Sequence, residues 1–244
     1  MVNINREKFS DASIEQNLGL SGKAQVDLFN GNLTFVHTDV QYNYGNPIIS
    51  VGHVFSNKAQ SSGAYGNNWS LNCDEKVEIA SDGSHLKYID ASGSAAYYLE
   101  IKNDVKNSYK SLSSGIESAD KLYMPIYGST VGIYKTGNNY VLFDGKGNLK
   151  VYNISGNVGY LGRVETVDGN RLVYTRNTNH LVTKIQDNYG RYVNFTYSGG
   201  KLIQVQDSAG RIRKYVYSNN NLTYIKCADL SGNEENCLII EYNS

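Results

Sequence analysis

The feature that most constrains the fold is an internal repeat in the C-terminal part of the chain. Residues 185–205 read IQDNYGRYVNFTYSGGKLIQV and residues 205–225 read VQDSAGRIRKYVYSNNNLTYI, aligned without a gap at an offset of twenty. A fixed period of this kind predicts a structural unit that buries its apolar side only against neighbouring units. The matched pairs are Gln186 with Gln206, Asp187 with Asp207, Gly190 with Gly210, Arg191 with Arg211, Tyr197 with Tyr217, Ser198 with Ser218 and Leu202 with Leu222.

Each repeat is predicted to open with a tight turn. The aspartate at its first position can accept a hydrogen bond from the backbone two residues further on, and the glycine at its fourth position can take a positive φ. We therefore assign a structural role to the turn positions Asp187, Gly190, Arg191, Asp207, Gly210 and Arg211.

The residues after the turn alternate as in a half-buried strand. Val193, Phe195 and Tyr197 share one face, and more polar residues occupy the other. A second turn at Ser198–Gly200 then leads to a returning strand at Lys201–Gln206. Each unit is therefore predicted to be one hairpin of an antiparallel meander. The predicted fold class is all-β, a long curved (spiral) antiparallel sheet built from these hairpins.

Weaker copies extend the array in both directions. Asp168–Arg171 resembles the turn but is one residue short, Asp144–Gly147 marks an earlier unit, and Asp229–Gly232 opens a later one. We predict three regions: an irregular N-terminal segment over 1–24, a β module over 25–115, and the hairpin array over 116–244. The polar stretch 102–120, predicted to be a long loop or a weak strand pair, forms the seam.

The first half has strand-like alternation but no repeat. Asn30–Asn32 is predicted to be a hairpin turn between the first two strands. The predicted strands are Gln25–Phe29, Leu33–Val40, Ile48–Phe55, Lys76–Ala80, Leu86–Ile89 and Ala95–Ile101.

Charge and hydropathy exclude two classes of partner. The chain has 23 basic and 23 acidic side chains, so it has no net field to attract nucleic acid or an anionic membrane. No apolar run approaches the roughly 18 residues that a membrane span needs. Residues 1–10 are polar and lack the apolar region of a secretory signal, so we expect any export signal to lie outside this sequence.

The repeat pattern of D-x-x-G-R, aromatic-x-Tyr and Leu-x-x-Ile/Val resembles the YD repeats of RHS-type proteins. The resemblance extends upstream to Val26–Phe35, to the segment SVGHVFSN at 50–57 and to Gly66–Leu71, which are similar to the module before the repeats in bacterial members. The Tyr-Asp dipeptide itself is replaced by Tyr197–Ser198 and Tyr217–Ser218.

This resemblance implies a spiral sheet that closes into a hollow shell around a C-terminal toxin or effector in bacterial relatives. The expected partners are the remaining repeats and that toxin or effector region, and the expected location is secreted or at the cell surface. The family's self-cleaving protease region follows its repeats and has no counterpart before residue 244. We therefore expect a structural, non-catalytic segment.

The sequence contains no recognisable enzyme motif. His37, His53, His85 and His180 are scattered without metal-ligand spacing, and no nucleophile elbow or phosphate loop is present. We expect no cofactor and no metal, although the acidic stretch Asp229–Glu235 is the best of the poor metal candidates. An unrecognised hydrolase ranks far below the structural role.

The alternative function is a cell-surface adhesion or carbohydrate-binding module with a glycan as partner. Trp69 is the candidate aromatic for stacking on a sugar ring, if it is exposed. Packing within the sheet is the competing interpretation of Trp69.

The three cysteines leave the redox state open. Cys227 and Cys237 flank a short polar loop, so a disulfide between them is one alternative and free thiols are the other. Cys73 is expected to be a buried free thiol in either case.

Overall fold

The computed structural model describes residues 13–19, 22–28, 30–42, 44–59, 61–126, 131–229 and 231–242. Strands dominate these residues, and every strand pairing is antiparallel. Helix is limited there to α1, Asn103–Lys106, and to 3-10 turns at Asn107–Leu112 and Ser114–Ile116. The predicted all-β fold class is confirmed.

The strands are numbered in chain order. They are β1 Ser13–Asn17, β2 Lys23–Asp27, β3 Leu33–Gln41, β4 Ser50–Ser56, β5 Ser62–Gly63, β6 Gly66–Asn67, β7 Trp69–Leu71, β8 Lys76–Ile79, β9 His85–Ile89, β10 Ala95–Ile101, β11 Lys121–Pro125, β12 Gly132–Thr136, β13 Asn139–Phe143, β14 Leu149–Ser155, β15 Val158–Glu165, β16 Arg171–Arg176, β17 Val182–Asp187, β18 Tyr192–Ser198, β19 Lys201–Asp207, β20 Ile212–Ser218, β21 Asn221–Ala228 and β22 Glu234–Ile239.

A five-stranded sheet, called here the N-terminal sheet, has the order β1-β2-β3-β4-β7. Because side chains alternate along a strand, the row Phe35, Phe55 and Trp69 and the neighbouring pair His37 and His53 lie on one face of this sheet. That face packs against the repeat array.

The second sheet has fifteen strands, and its first eight close into a ring. Strands β8 to β15 pair in succession, and β15 then returns to β8, where Val158 pairs with Glu78 and Tyr160 with Lys76. Apolar and tyrosine side chains fill the interior, including the fully buried Val77, Tyr152 and Leu161. The strand pattern of the sequence does not predict this closure.

Strand β15 joins the ring to the repeat array. One of its edges pairs with β14, and the other pairs first with β8 and then, over Arg163–Glu165, with β16. The eight residues of β15 are therefore long enough to serve two neighbours on one edge.

The array continues from β16 to β22 as a meander. The two full copies have the same register and a bulge at the same place. Thr196 pairs with Gln204 and Tyr197 with Leu202, as Val216 pairs with Tyr224 and Tyr217 with Leu222. Equal turn chemistry at the same offset thus produces equal hairpins.

The predicted division of the chain needs correction. Residues 13–17 are a strand, not irregular, because they pair along their whole length with Lys23–Asp27. Residues 1–12 lie outside the described residues. The boundary at 115 falls between two strands of the closed ring, β10 and β11, which pair with each other. The long loop predicted at 102–120 contains short helical turns, anchored by the fully buried Ile116.

The upstream strands lie near their predicted positions. β3, β4, β8, β9 and β10 differ from the prediction by at most two residues at either end. The strand predicted at Gln25–Phe29 begins at Lys23, and Phe29 lies outside the described residues. In the described part of the chain, no helix is long and apolar enough to span a membrane.

Two cysteines form a disulfide across the last hairpin. Cys227 on β21 and Cys237 on β22 are bonded, with Cα atoms 5.7 Å apart, and Cys73 is a buried free thiol. Burial raises the pKa of the Cys73 thiol well above its usual range. The cross-link therefore closes the hairpin at the end of the described array.

Thiol titration tests this assignment. We expect one reactive thiol per chain in denaturant without reductant and three after reduction, because only Cys73 is free. In the native protein at mildly alkaline pH, Cys73 should stay unreactive, since the thiolate is the reactive form and burial disfavours it. Three thiols before reduction would exclude the disulfide.

The repeat turns generate a stability prediction. Gly210 has φ +86° and its counterpart Gly190 has φ +84°, a conformation that is costly for a β-branched residue. Gly210→Val should reduce the free energy of unfolding by about 1 kcal/mol or more. The matched control is Ala209→Val, which enlarges the neighbouring exposed residue in the same turn. Urea denaturation measures the free energy of unfolding of both variants, and equal values would contradict the turn assignment.

Candidate functional site at the interface between the two sheets

Each full repeat turn is closed around one buried aspartate. Oδ1 of Asp187 accepts hydrogen bonds from the backbone N–H groups of Tyr189 and Arg191, both at 2.9 Å, and Oδ2 accepts one from Nε of Arg191 at 2.6 Å. Asp207 makes the equivalent bonds to Ala209 and Arg211. A carboxylate with three donors can be buried without a large desolvation penalty.

The same turn recurs with asparagine at its fifth position. Nδ2 of Asn148 donates to Asp144, and Nδ2 of Asn233 donates to Asp229. Asp229 thus has a turn role. Among the described residues, no group of three or more His, Cys, Asp or Glu is arranged to hold a metal.

The copy that precedes the two full repeats has a different alignment from the one predicted. Its turn starts at Thr166, whose N–H donates to the carbonyl of Asn170 and whose carbonyl accepts from the N–H of Gly169. Thr166 therefore takes the aspartate position and Asp168 the third position. The turn is of full length and not one residue short.

The turn arginines also bind the end of β3 and the loop that follows it, contacts that the repeat pattern does not predict. Because Nε donates to the turn aspartate, the terminal nitrogens of each arginine are available to bind groups outside the turn. Nη1 of Arg191 donates to the carbonyl of Tyr44 at 2.8 Å, and Nη2 of Arg211 donates to that of Gln41 at 3.3 Å. Both guanidinium groups lie near the ring of Tyr42, at 5.2 and 5.3 Å from its centroid. The available signal was that both full copies have arginine where asparagine is sufficient for the turn.

A buried polar cluster joins the two sheets. Oδ2 of Asp39 lies 2.6 Å from Nδ1 of His53 and accepts a hydrogen bond of 2.9 Å from the hydroxyl of Tyr215 on β20. His37 is also buried, with Nε2 3.7 Å from Oδ1 of Asp39. Burial, with the negative charge of Asp39 next, raises the pKa of Tyr215 far above its usual range, so this tyrosine remains a donor.

This cluster corrects the description of the histidines as scattered. His37 and His53 are cross-strand partners, and Asp39 lies in a register shift between Thr38 and Val40. A bulge of this kind redirects side chains. Strand register and a bulge both depend on long-range pairing, so residue spacing did not reveal the cluster.

Trp69 does not form a ligand-stacking surface. Its side chain is only 3% exposed, and its Nε1 donates a hydrogen bond of 2.8 Å to the hydroxyl of Tyr242. Phe35 and Phe55 lie edge-on or tilted against it, at 6.1 and 5.3 Å between ring centroids. The packing interpretation of Trp69 therefore holds, and the stacking hypothesis is wrong.

Tyrosine hydroxyls connect successive hairpins. Tyr197 donates to the carbonyl of Val182 at 2.8 Å, Tyr217 to that of Leu202 at 2.9 Å, and Tyr242 to that of Leu222 at 2.8 Å. Burial raises the pKa of all three tyrosines. The repeated tyrosine thus ties its own hairpin to the one before it.

A cleft of about 240 Å³ lies between β15, the β16–β17 turn and the segment before β8. Arg176 crosses it and donates to the carbonyls of Cys73, Leu161 and His180. The His180 ring stacks on Tyr160 at 4.2 Å. Burial raises the pKa of Asp74, against the opposing effect of Arg176. These groups are engaged in holding the cleft together.

A second cleft of about 360 Å³ lies on the outside of the ring. His85 and Lys87 line it from β9, and Tyr97 lines it from β10. The hydroxyl of Ser84 hydrogen-bonds Nδ1 of His85. The exposed aromatic Tyr97 is the main apolar group there, at 45% exposure.

Comparisons with known proteins agree with this architecture. Residues 23–98 match the family model of a domain of unknown function, DUF6531. No curated protein matches the chain. Among solved structures, the crystal structure of TcdB2-TccC3 is similar with a TM-score of 0.52 at 8% identity, over 92% of this chain and 16% of that one. The chain thus spans about a sixth of that relative's length, and at this identity the likeness concerns the fold alone.

The hydrogen bonds from Tyr197, Tyr217 and Tyr242 to the preceding hairpins, called here the tyrosine ladder, lead to a stability prediction. Tyr217→Phe should lower the free energy of unfolding by about 1 kcal/mol, because the carbonyl of Leu202 loses its side-chain donor in a largely buried place. The matched control is Tyr224→Phe, which removes a hydroxyl from a residue that is 37% exposed. Urea denaturation measures both variants. If Tyr224→Phe lowers the free energy of unfolding as much as Tyr217→Phe does, the stabilising role of the tyrosine ladder is contradicted.

Proposed function

We propose that this chain is a non-catalytic structural segment of an RHS/YD-type β-sheet shell that encapsulates a C-terminal toxin or effector. The observation that carries the proposal is the growth pattern of the array. Hairpins add to one sheet in a constant register, each held to the last by a tyrosine. In such a sheet each hairpin contacts only its neighbours, so further hairpins can be added in the same way to form a wall.

The position of the N-terminal sheet supports a place for this chain at an end of the proposed wall. Its inner face covers the first repeats through Arg191, Arg211 and the Asp39 cluster. The ring interior is likewise packed with side chains. We infer that this chain builds a solid end of the shell and that the cavity begins beyond the array described here.

A non-catalytic role is supported by how the reactive groups are used. Asp39 and His53 are buried and engaged across the sheet interface. Cys73 is buried with a raised pKa. Arg176 donates hydrogen bonds to three backbone carbonyls.

The proposed location is outside the cytoplasm, secreted or at the cell surface of a bacterium. The disulfide between Cys227 and Cys237 supports it, because disulfides persist mainly in oxidising compartments. The proposed partners are further repeats and the enclosed toxin or effector region of the same polypeptide.

One observation favours a second candidate function, the binding of a glycan. Tyr44 and Tyr189 are 72% and 64% exposed, and their rings lie 5.4 and 5.6 Å from the Arg191 guanidinium. A tyrosine ring has a large apolar face and a polar hydroxyl, so a pair of exposed tyrosines is suited to contact a sugar ring. This pair takes the place of Trp69 in the binding alternative.

Limited proteolysis of the natural polypeptide that carries this chain tests the encapsulation proposal. We expect a segment C-terminal to the repeats to resist protease in the native protein and to be cut after Asp39→Ala. That change leaves His53 and Tyr215 without their buried acceptor. It should lower the free energy of unfolding of this chain by about 3 kcal/mol. The control is Glu235→Ala, at an exposed residue of β22.

Two results would overturn the proposal. One is rapid native cleavage of everything beyond the array, or a natural polypeptide with nothing beyond it. The other is saturable binding to one glycan on an array, lost in Tyr44→Ala, which would favour the binding alternative.

A further inference from the structure

The hairpin of β21 and β22 departs from the repeat that precedes it. The repeat period would place a turn aspartate twenty residues after Asp207, but the chain has Cys227 there and its next turn aspartate is Asp229. Cys227 is bonded to Cys237 on β22. The cross-link therefore belongs to an irregular hairpin and is not required by the repeat pattern.

The disulfide lies where the hydrogen-bonded ladder between β21 and β22 is interrupted. Asn236 pairs with Lys226. The next pair joins Leu238 to the adjacent Ile225, so Cys237 is the extra residue of a bulge. The covalent bond thus joins the two strands at a place where backbone pairing does not.

The residues 237–242, called here the strap, lie over one end of the core between the two sheets. Leu238 and Ile240 of the strap pack against that core. The hydroxyl of Tyr242 accepts a hydrogen bond of 2.8 Å from Nε1 of Trp69. The strap therefore connects the disulfide with the aromatic side chain that the N-terminal sheet buries.

The other contacts of β22 hold the strap weakly. Glu234–Asn236 are exposed, and the ion pairs of Glu234 with Lys214 and Lys226 lie at the surface, where such pairs contribute little. Ile239 is 56% exposed. Among the strands that the structure describes, β21 alone pairs with β22. The disulfide is therefore the main link between the strap and the rest of the array.

The surroundings of the disulfide favour its cleavage by thiols. Arg213 on β20 pairs with Cys227, so the two side chains lie on one face of the sheet, where the preceding repeat has the buried Val193. A disulfide is cleaved faster when the departing sulfur is stabilised as a thiolate, and a neighbouring cation does this. Both bonded cysteines are partly exposed, whereas Cys73 is buried. A small thiol in solution can therefore reach the bond.

We propose that the disulfide between Cys227 and Cys237 is a latch that small thiols open, and that its opening releases the strap from Trp69. A thiolate attacks Sγ of Cys237, the S–S bond breaks, and Cys227 leaves as a thiolate beside Arg213 and then takes up a proton. A second thiol resolves the mixed disulfide at Cys237. Two small thiols are thereby oxidised to one disulfide, and the protein gains two cysteine thiols.

Opening of the latch changes one end of the interface between the sheets. The strap is one side of the cover over Trp69, and Phe35 and Phe55 are others. The hydrogen bond from Tyr215 to Asp39 lies on β20, before the strap, and stays in place. The contact of the N-terminal sheet with the last described hairpin thus depends on the redox state of the surroundings. This inference does not depend on the proposed wall function.

Trp69 is the only tryptophan of the sequence, so its fluorescence reports the release of the strap. The native protein is treated with millimolar reduced glutathione near neutral pH, and iodoacetamide then marks free thiols for peptide mass mapping. We expect alkylation at Cys227 and Cys237 but not at Cys73. The emission of Trp69 should shift to longer wavelength as water reaches the indole, and the far-UV circular dichroism should stay nearly constant.

Variants of Arg213 test its role in the cleavage step. Arg213→Met should slow reduction by glutathione about threefold or more, because the departing thiolate loses its neighbouring cation. Arg213→Lys keeps the charge and should restore the rate. The matched control is Lys184→Met, which removes the same charge from β17, four strands away from β21, and should leave the rate unchanged.

Several results would overturn the inference. They are cleavage by glutathione only in urea, reduction without a change in Trp69 emission, and loss of the far-UV signal on reduction, which would mean that the disulfide holds the whole fold. Equal rates for Arg213→Met and Lys184→Met would reject the role of Arg213. The double variant Cys227→Ser with Cys237→Ser should have the emission of the reduced protein in every buffer. Emission like that of the oxidised protein would show that the strap stays closed without the latch.

Discussion

The repeat array depends on the buried aspartate at the start of each full repeat. Asp187 and Asp207 are only 6% and 2% exposed, yet each carboxylate is satisfied by two backbone N–H groups and one arginine Nε. This closure fixes the turn, and the turn fixes the register in which the next strand returns. Because the arginine meets the carboxylate through Nε, its terminal nitrogens remain available to bind the N-terminal sheet. One side chain pair therefore sets both the hairpin and its contact with the second sheet.

Most of the local structure could be predicted from sequence, because it is determined by neighbouring residues. The turns around Gly190 and Gly210 and the alternation of Val193 and Phe195 depend on contacts within a few positions of the chain. Even the error at Asp168 was local. Thr166 occupies the position of the aspartate: its backbone carbonyl accepts from the N–H of Gly169, as that of Asp187 does from Gly190, and its hydroxyl donates to the carbonyl of Asn170. The glycine spacing was therefore intact although the first residue had changed.

The candidate site was predictable only in part, because it is built from distant segments. Trp69 is hydrogen-bonded to Tyr242, and Asp39 is hydrogen-bonded to Tyr215, across sequence separations of 173 and 176 residues. Composition could not distinguish a tryptophan that faces a sugar from one that faces another sheet. The ring closure was hidden for the same reason, since it depends on β15 sharing one edge between β8 and β16.

These long-range contacts solve a problem that a hairpin array has at its beginning. A hairpin cannot bury its apolar face alone, so the first repeats need a partner that the array itself does not supply. Here β15 supplies a paired edge, and the N-terminal sheet supplies a cover for side chains such as Val193 and Leu202. Later hairpins find both an edge and a neighbour in the hairpin before them. The ring and the N-terminal sheet therefore supply the first hairpins with a paired edge and an apolar cover. Each of these contacts is made once, so the residues that make them do not follow the repeat.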